Sequence, residues 1–199
     1  MPPVTHLLYL HGFRSSPRSA KAQAMAQWIQ AQRPDVHWAC PQLPPSPAQA
    51  MALIEARVQD WPADRSAVVG SSLGGFYATV WAERQGWRAV VLNPAVHPDR
   101  DLARHLGEQT HWHDEQLRFT FDARHIDELT AMKPGPPRHP ERIAAVIAQG
   151  DELLDWHEMS ARYQGATIRL LDGSDHALSD FVPDDRDFVL RWLGLLSAA

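Results

Sequence analysis

Apolar residues recur along the chain in short, mostly continuous runs: His6–Leu10 (HLLYL), Val36–Cys40 (VHWAC), Ser66–Gly70 (SAVVG), Arg88–Leu92 (RAVVL), Ile143–Ala148 (IAAVIA) and Thr167–Leu171 (TIRLL). Such runs mark strands buried on both faces, because strands with one wet face alternate apolar and polar positions. Between them lie amphipathic segments that predict helices over Arg18–Gln32, Pro47–Asp60, Leu73–Gln85, His157–Tyr163 and Pro183–Leu196. Strand and helix in regular alternation predict an α/β fold: a mostly parallel sheet of about six strands with helices on both faces and right-handed crossovers. Pro and Gly punctuate the joints, in PQLPPSP after the second run and KPGPP from Lys133.

One stretch breaks this rhythm. Between Asn93-Pro94 and Ile143 the chain turns rich in His, Asp, Glu and Arg. Two short helices fit there, around Arg100–Leu106 and His125–Met132. An insertion at this point overhangs the C-terminal edge of the sheet, so residues 98–142 read as a small cap, with a solvated loop as the alternative.

A length of 199 residues suits one domain with a full core. With 19 Lys and Arg against 24 Asp and Glu, net charge −5, and no basic block, nucleic acid is not an expected partner. Cys40 stands alone and forms no internal disulfide, which fits a reducing compartment. The start MPPVTHLLYLHGF lacks a basic leader segment, and its apolar run is too short for a membrane span. It reads as the first strand of a cytoplasmic protein.

The candidate chemistry centres on GSSLG, Gly70 to Gly74, which fits G-x-S-x-G between a predicted strand and a predicted helix. That context is a nucleophile elbow: a strained turn lifts the central Ser72 clear of the sheet, and its neighbours at ±2 must be small. The Leu73 amide, at a helix N-terminus, is a candidate oxyanion donor. The Phe13 amide, beside Gly12 in the loop after the first strand, is the second. Ser72 needs a base, and the base needs an acid to fix its tautomer. His176 follows the last strand and is the candidate base, with His157 as runner-up inside a helix. Asp151 follows the preceding strand and is the candidate acid; Asp155 and Asp175 are the alternatives, Asp155 reading better as a helix cap. His11 reads as structural, and Arg14 to Ser19 as a helix cap or a seat for an anionic part of a substrate.

The segments LLYLHGFRSSPRSAKAQAM, CPQLPPSP, VVGSSLGGFYAT, VLNPAV, GDELLDW and GSDHAL closely resemble the YqiA/YcfP family of small bacterial esterases, within the α/β-hydrolase superfamily. The resemblance runs from Leu7 to Leu195 and is weakest between Pro98 and Arg142. It implies a cytoplasmic serine esterase acting on short acyl esters or thioesters without a cofactor, with Ser72 as nucleophile, Asp151 as acid and His176 as base. Its partner is then a small-molecule substrate. If the insertion sets the acyl pocket, Trp112 and Phe119 are candidate lining residues. His111 and His113 faintly suggest a metal site, but two alternating histidines without further ligands at suitable spacing do not make one. A non-catalytic binding protein that keeps this fold is the competing class; an intact set of catalytic groups weighs against it.

Overall fold

The computed structural model describes residues 2–112, 114–181 and 183–197. In chain order its elements are β1 (His6–Leu10), α1 (Ala20–Gln32), β2 (His37–Ala39), α2 (Pro47–Val58), β3 (Ser66–Ser71), α3 (Leu73–Gln85) and β4 (Arg88–Leu92). There follow α4 (Pro98–Asp101), β5 (Gly107–His111), β6 (Asp114–Phe121), α5 (Ala123–Met132), β7 (Ile143–Ala148), α6 (Trp156–Arg162), β8 (Thr167–Leu171) and α7 (Pro183–Trp192). The six predicted runs form one sheet in the order β2-β1-β3-β4-β7-β8, with every neighbouring pair parallel.

The runs of β1, β3, β4 and β7 are continuous because both sheet faces are covered there, whereas the edge strands β2 and β8 are partly exposed, with Ile168 and Leu170 of β8 open to solvent. Successive residues point to opposite sides. Leu8, Leu10, Val68 and Val91 pack under α2, α3 and α6, while Leu7, Tyr9, Val69 and Val90 pack under α1 and α7. Local signals set the helix ends. The Ser46 hydroxyl accepts from the Gln49 N–H (3.2 Å) ahead of Pro47, and Gly86 closes α3 in the left-handed region at φ 68°. Among the described residues no helix is long and apolar enough to cross a membrane.

Residues 98–142 differ from expectation. The second predicted helix is present as α5, opened by an Asp122–His125 capping box. The first is reduced to the single turn α4 and a 3-10 turn over Ala103–His105, and Gly107 at φ 109° then starts an antiparallel β5–β6 hairpin. That hairpin carries a weak period-two signal, Leu117, Phe119 and Phe121, diluted by a β5 that is almost wholly polar. Only Phe121 of the three is fully buried; Leu117 is exposed. The hairpin follows the C-terminal end of β4, on the side where β1, β3, β7 and β8 also end, which is where the candidate site lies.

Candidate active site

β3 is buried along its length, and the chain leaves it through Ser72 at φ 55°, ψ −121°, before α3 begins at Leu73. Side chains rarely tolerate a positive φ of this kind, and holding one costs about 1–3 kcal/mol. Here the neighbours impose it. The Ser72 N–H donates to the Leu92 carbonyl of β4 (2.9 Å), and its own carbonyl accepts from Gly75 (2.8 Å) and Ala95 (3.0 Å). The flanking glycines leave no choice of residue. A Cβ on Gly70 would lie 2.1 Å from the Gly74 carbonyl oxygen, and one on Gly74 would lie 2.0 Å from that of Leu10.

Above this turn the structure brings together three groups that lie far apart in sequence. His176 Nε2 is 2.9 Å from Ser72 Oγ, and His176 Nδ1 is 2.8 Å from Asp151 Oδ2. The Asp151 side chain is wholly buried, and its Oδ1 accepts from the Leu153 N–H (2.9 Å) and the Leu154 N–H (2.8 Å). A carboxylate can only accept here, so the network assigns the ring proton to Nδ1 and leaves Nε2 to accept from the Ser72 hydroxyl. The His176 N–H donates to Glu152 Oε2 (2.9 Å), and the Gly150 N–H to the Gly173 carbonyl (3.0 Å), so the loops that carry Asp151 and His176 are laced together.

The alternatives weighed for these positions are engaged elsewhere. Asp155 caps α6, accepting from the His157 N–H (2.8 Å), and that hydrogen bond holds its carboxyl below the usual range. His157 pairs with Asp155 (2.9 Å) on the surface. Asp175 takes the Ser179 hydroxyl (2.7 Å) and N–H (2.8 Å), which hold its carboxyl low in the same way.

The loop after β1 packs directly on the elbow: a Cβ on Gly12 would sit 3.1 Å from Ser72 Cβ. His11, buried beneath, accepts at Nε2 from the Leu43 N–H (3.0 Å) and so joins this loop to the one after β2. Arg14, at φ 61°, lines the same cleft and is turned toward the hairpin rather than toward the start of α1. Its Nε and Nη2 donate to the Thr110 carbonyl (2.7 Å) and hydroxyl (2.9 Å), and its carbonyl accepts from the Trp112 N–H (2.8 Å). Ser19, at the N-cap of α1, makes no side-chain cap bond. The hairpin is thereby fastened to the loop that carries Phe13.

Between hairpin and elbow lies a narrow cleft walled by Phe13, Leu43, Pro44, Leu73, Tyr77 and Phe119. Phe119 is thus where a lining residue is expected. Trp112 is not among the wall residues: it is 64% exposed and lies beneath the Arg14 guanidinium, 4.1 Å from ring centre to Cζ. The short turn of the hairpin carries its ring outward. His113 lies outside the described residues, His111 packs against the Phe119 ring, and no metal-holding group of His, Cys, Asp or Glu occurs among the described residues.

Sequence reasoning had no means of finding Glu152 or the Arg14 clasp, whose partners are set by tertiary structure. Comparison with known proteins places the chain. The profile of the uncharacterised protein family UPF0227 matches residues 6–188, a span that takes in Ser72, Asp151 and His176. The chain belongs to the UPF0227 family. UPF0227 relatives include a protein of Serratia proteamaculans, 27% identical over 157 residues, which covers 75% of this chain and 77% of the relative. Another, from Pectobacterium carotovorum, is 24% identical over 170 residues, 83% of this chain and 85% of the relative. Among solved structures, mouse alpha/beta hydrolase domain-containing protein 10 superposes with a TM-score of 0.69 at 15% identity, over 96% of this chain and 92% of that one. Est1E from Butyrivibrio proteoclasticus does so with a TM-score of 0.67 at 14% identity, over 96% and 89%. The fold of this UPF0227 member is therefore that of the α/β-hydrolases.

Proposed function

We propose that the protein is a serine hydrolase that cleaves short- to medium-chain carboxylic esters or acyl thioesters through an acyl-serine intermediate. The observation that carries this reading is the hydrogen-bonded chain Ser72–His176–Asp151 on a strained strand-to-helix turn. The esterases among the structural neighbours, one solved with ferulic acid bound, support it. In the first step His176 takes the Ser72 proton as Oγ attacks the acyl carbonyl. The Leu73 and Phe13 amides hold the oxyanion, and Asp151 stabilises the imidazolium. His176 then protonates the departing alcohol or thiol. Water, deprotonated by His176, attacks the acyl-serine and releases the acid. No step draws on a cofactor.

In this reading the whole chain is one α/β-hydrolase domain in the cytoplasm, and residues 98–142 are its cap, with Phe119 setting the acyl side of the cleft. Two measurements test the proposal: labelling by a fluorophosphonate, which needs an activated serine, and hydrolysis of p-nitrophenyl butyrate. Wild type should react in both, and Ser72→Ala in neither, a loss on the order of 10⁴ to 10⁶ in kcat. A folded Ser72→Ala protein that kept a tenth of the wild-type rate would overturn it. Ser71→Ala, its buried neighbour at the end of β3, should cost far less.

A further inference from the structure

The nucleophile, acid and base stand on three different loops, and one buried residue is bonded to the supports of all three. Asn93, at the end of β4, is fully buried and holds φ at 40°, a conformation that Asn tolerates better than other side chains. Its Oδ1 accepts from the Ala148 N–H (2.8 Å), the last residue of β7 and three before Asp151. Its Nδ2 donates to two carbonyls of the base loop, Asp175 (2.9 Å) and His176 itself (3.2 Å). Its own N–H donates to the Val146 carbonyl (2.9 Å). On either side of it, the Leu92 carbonyl and the Ala95 N–H both bond the main chain of Ser72.

A surface loop does not otherwise need a buried primary amide. The arrangement satisfies the Asn side chain on both ends, which is the condition for carrying a polar group inside a core. It also fixes how far the base loop stands from the end of the acid strand, and with it the Nδ1–Oδ2 contact. Displacements near 1 Å in such geometry cost about 10²-fold in rate. We infer that Asn93 is a positioning residue which, without touching substrate, sets His176 against Asp151 and over Ser72. The inference rests on the serine-hydrolase reading above.

Two replacements separate this role from mere packing. Asn93→Asp keeps the size, the tolerance of positive φ and the acceptor for Ala148, but turns an anionic oxygen toward two carbonyls. Asn93→Gly keeps the backbone angle and removes the side chain. Both should unfold cooperatively above the assay temperature, with KM for p-nitrophenyl butyrate within twofold of wild type and kcat lower by about 10²-fold. The far-downfield proton NMR resonance of the His176 Nδ1–H should be lost or moved. Wild-type kcat in either folded variant overturns the inference. So does a fall in kcat with the imidazole resonance unmoved, and so does failure of both variants to fold, which would make the residue structural only. Ser72→Ala is assayed alongside. If it is inert while the Asn93 variants match wild type, the positioning role alone fails. If Ser72→Ala is fully active, the hydrolase reading fails and takes the positioning role with it.

Discussion

Ser72 and His176 are 104 residues apart in sequence and 2.9 Å apart in space. The parallel sheet makes this possible. Each strand delivers its following loop to the same edge, and β3, β7 and β8 supply the three loops in turn.

In the proposed mechanism the acid is Asp151 rather than Asp155. Asp151→Asn should lower kcat by roughly 10³ to 10⁴-fold, because an amide can donate to Nδ1 and favour the wrong tautomer. Asp155→Ala removes the cap of α6 and should cost about 1 kcal/mol of stability with little effect on kcat. The opposite ranking in steady-state kinetics would move the acid to Asp155.

Gly74→Ala forces a Cβ to 2.0 Å from a backbone oxygen, which a flexible side chain cannot relieve. Urea unfolding should register a loss of about 3 kcal/mol or more. Gly135→Ala, where no atom lies within 4 Å of the new methyl, should stay within about 0.5 kcal/mol of wild type. Equal effects from the two would mean that the elbow is not packed as described.

Phe119 lines the cleft and Trp112 does not. Phe119→Ala should shift the preference between p-nitrophenyl butyrate and octanoate toward the longer chain, by more than it changes the overall rate. Trp112→Ala should leave the ratio alone. A changed ratio in the Trp112 variant, with none in the Phe119 variant, would put the acyl group on the other side of the hairpin.

Lys21 on α1 reaches the base loop, donating to the Ala177 carbonyl. Burial lowers its ammonium to about 8 from the ordinary 10.5, against the opposing pull of Asp175. Between those values the unfolded chain binds more protons than the folded one, so this residue makes stability rise with pH across that window. Below it both forms are charged and the burial penalty is complete. Lys21→Met should remove the rise. The stability difference between wild type and variant, followed by urea unfolding from pH 8 to 10.5, should therefore change steadily in favour of wild type. A flat difference would show that Lys21 is not buried in solution.

The four central strands of the main sheet were legible because each is buried on both faces, leaving an apolar run that no loop would carry; the edge strands β2 and β8 are partly exposed and were legible from their short apolar runs and their place in the alternation. Two of the six differ in extent: β2 is only His37–Ala39, and β3 runs on to Ser71. The α/β-hydrolase class and the kinship with a small bacterial family followed from motifs at strand ends. The β5–β6 hairpin was not legible, since its residues meet solvent and one another more than a core, and Phe119 and Phe121 alone hardly mark a period. The side chain of Trp112 was misplaced for the same reason: an aromatic residue in a polar turn gives no sign of which way it faces. Asn93 stood in plain view within VLNPAV, but what a buried Asn bonds to is decided by loops eighty residues downstream.

The elbow is built from β1, β3, α3 and β4, which end by Leu92, whereas Asp151 and His176 come from beyond Ala148. The chain is thus divided in two: its first half shapes the turn that presents Ser72, and its last third brings the side chains that meet it.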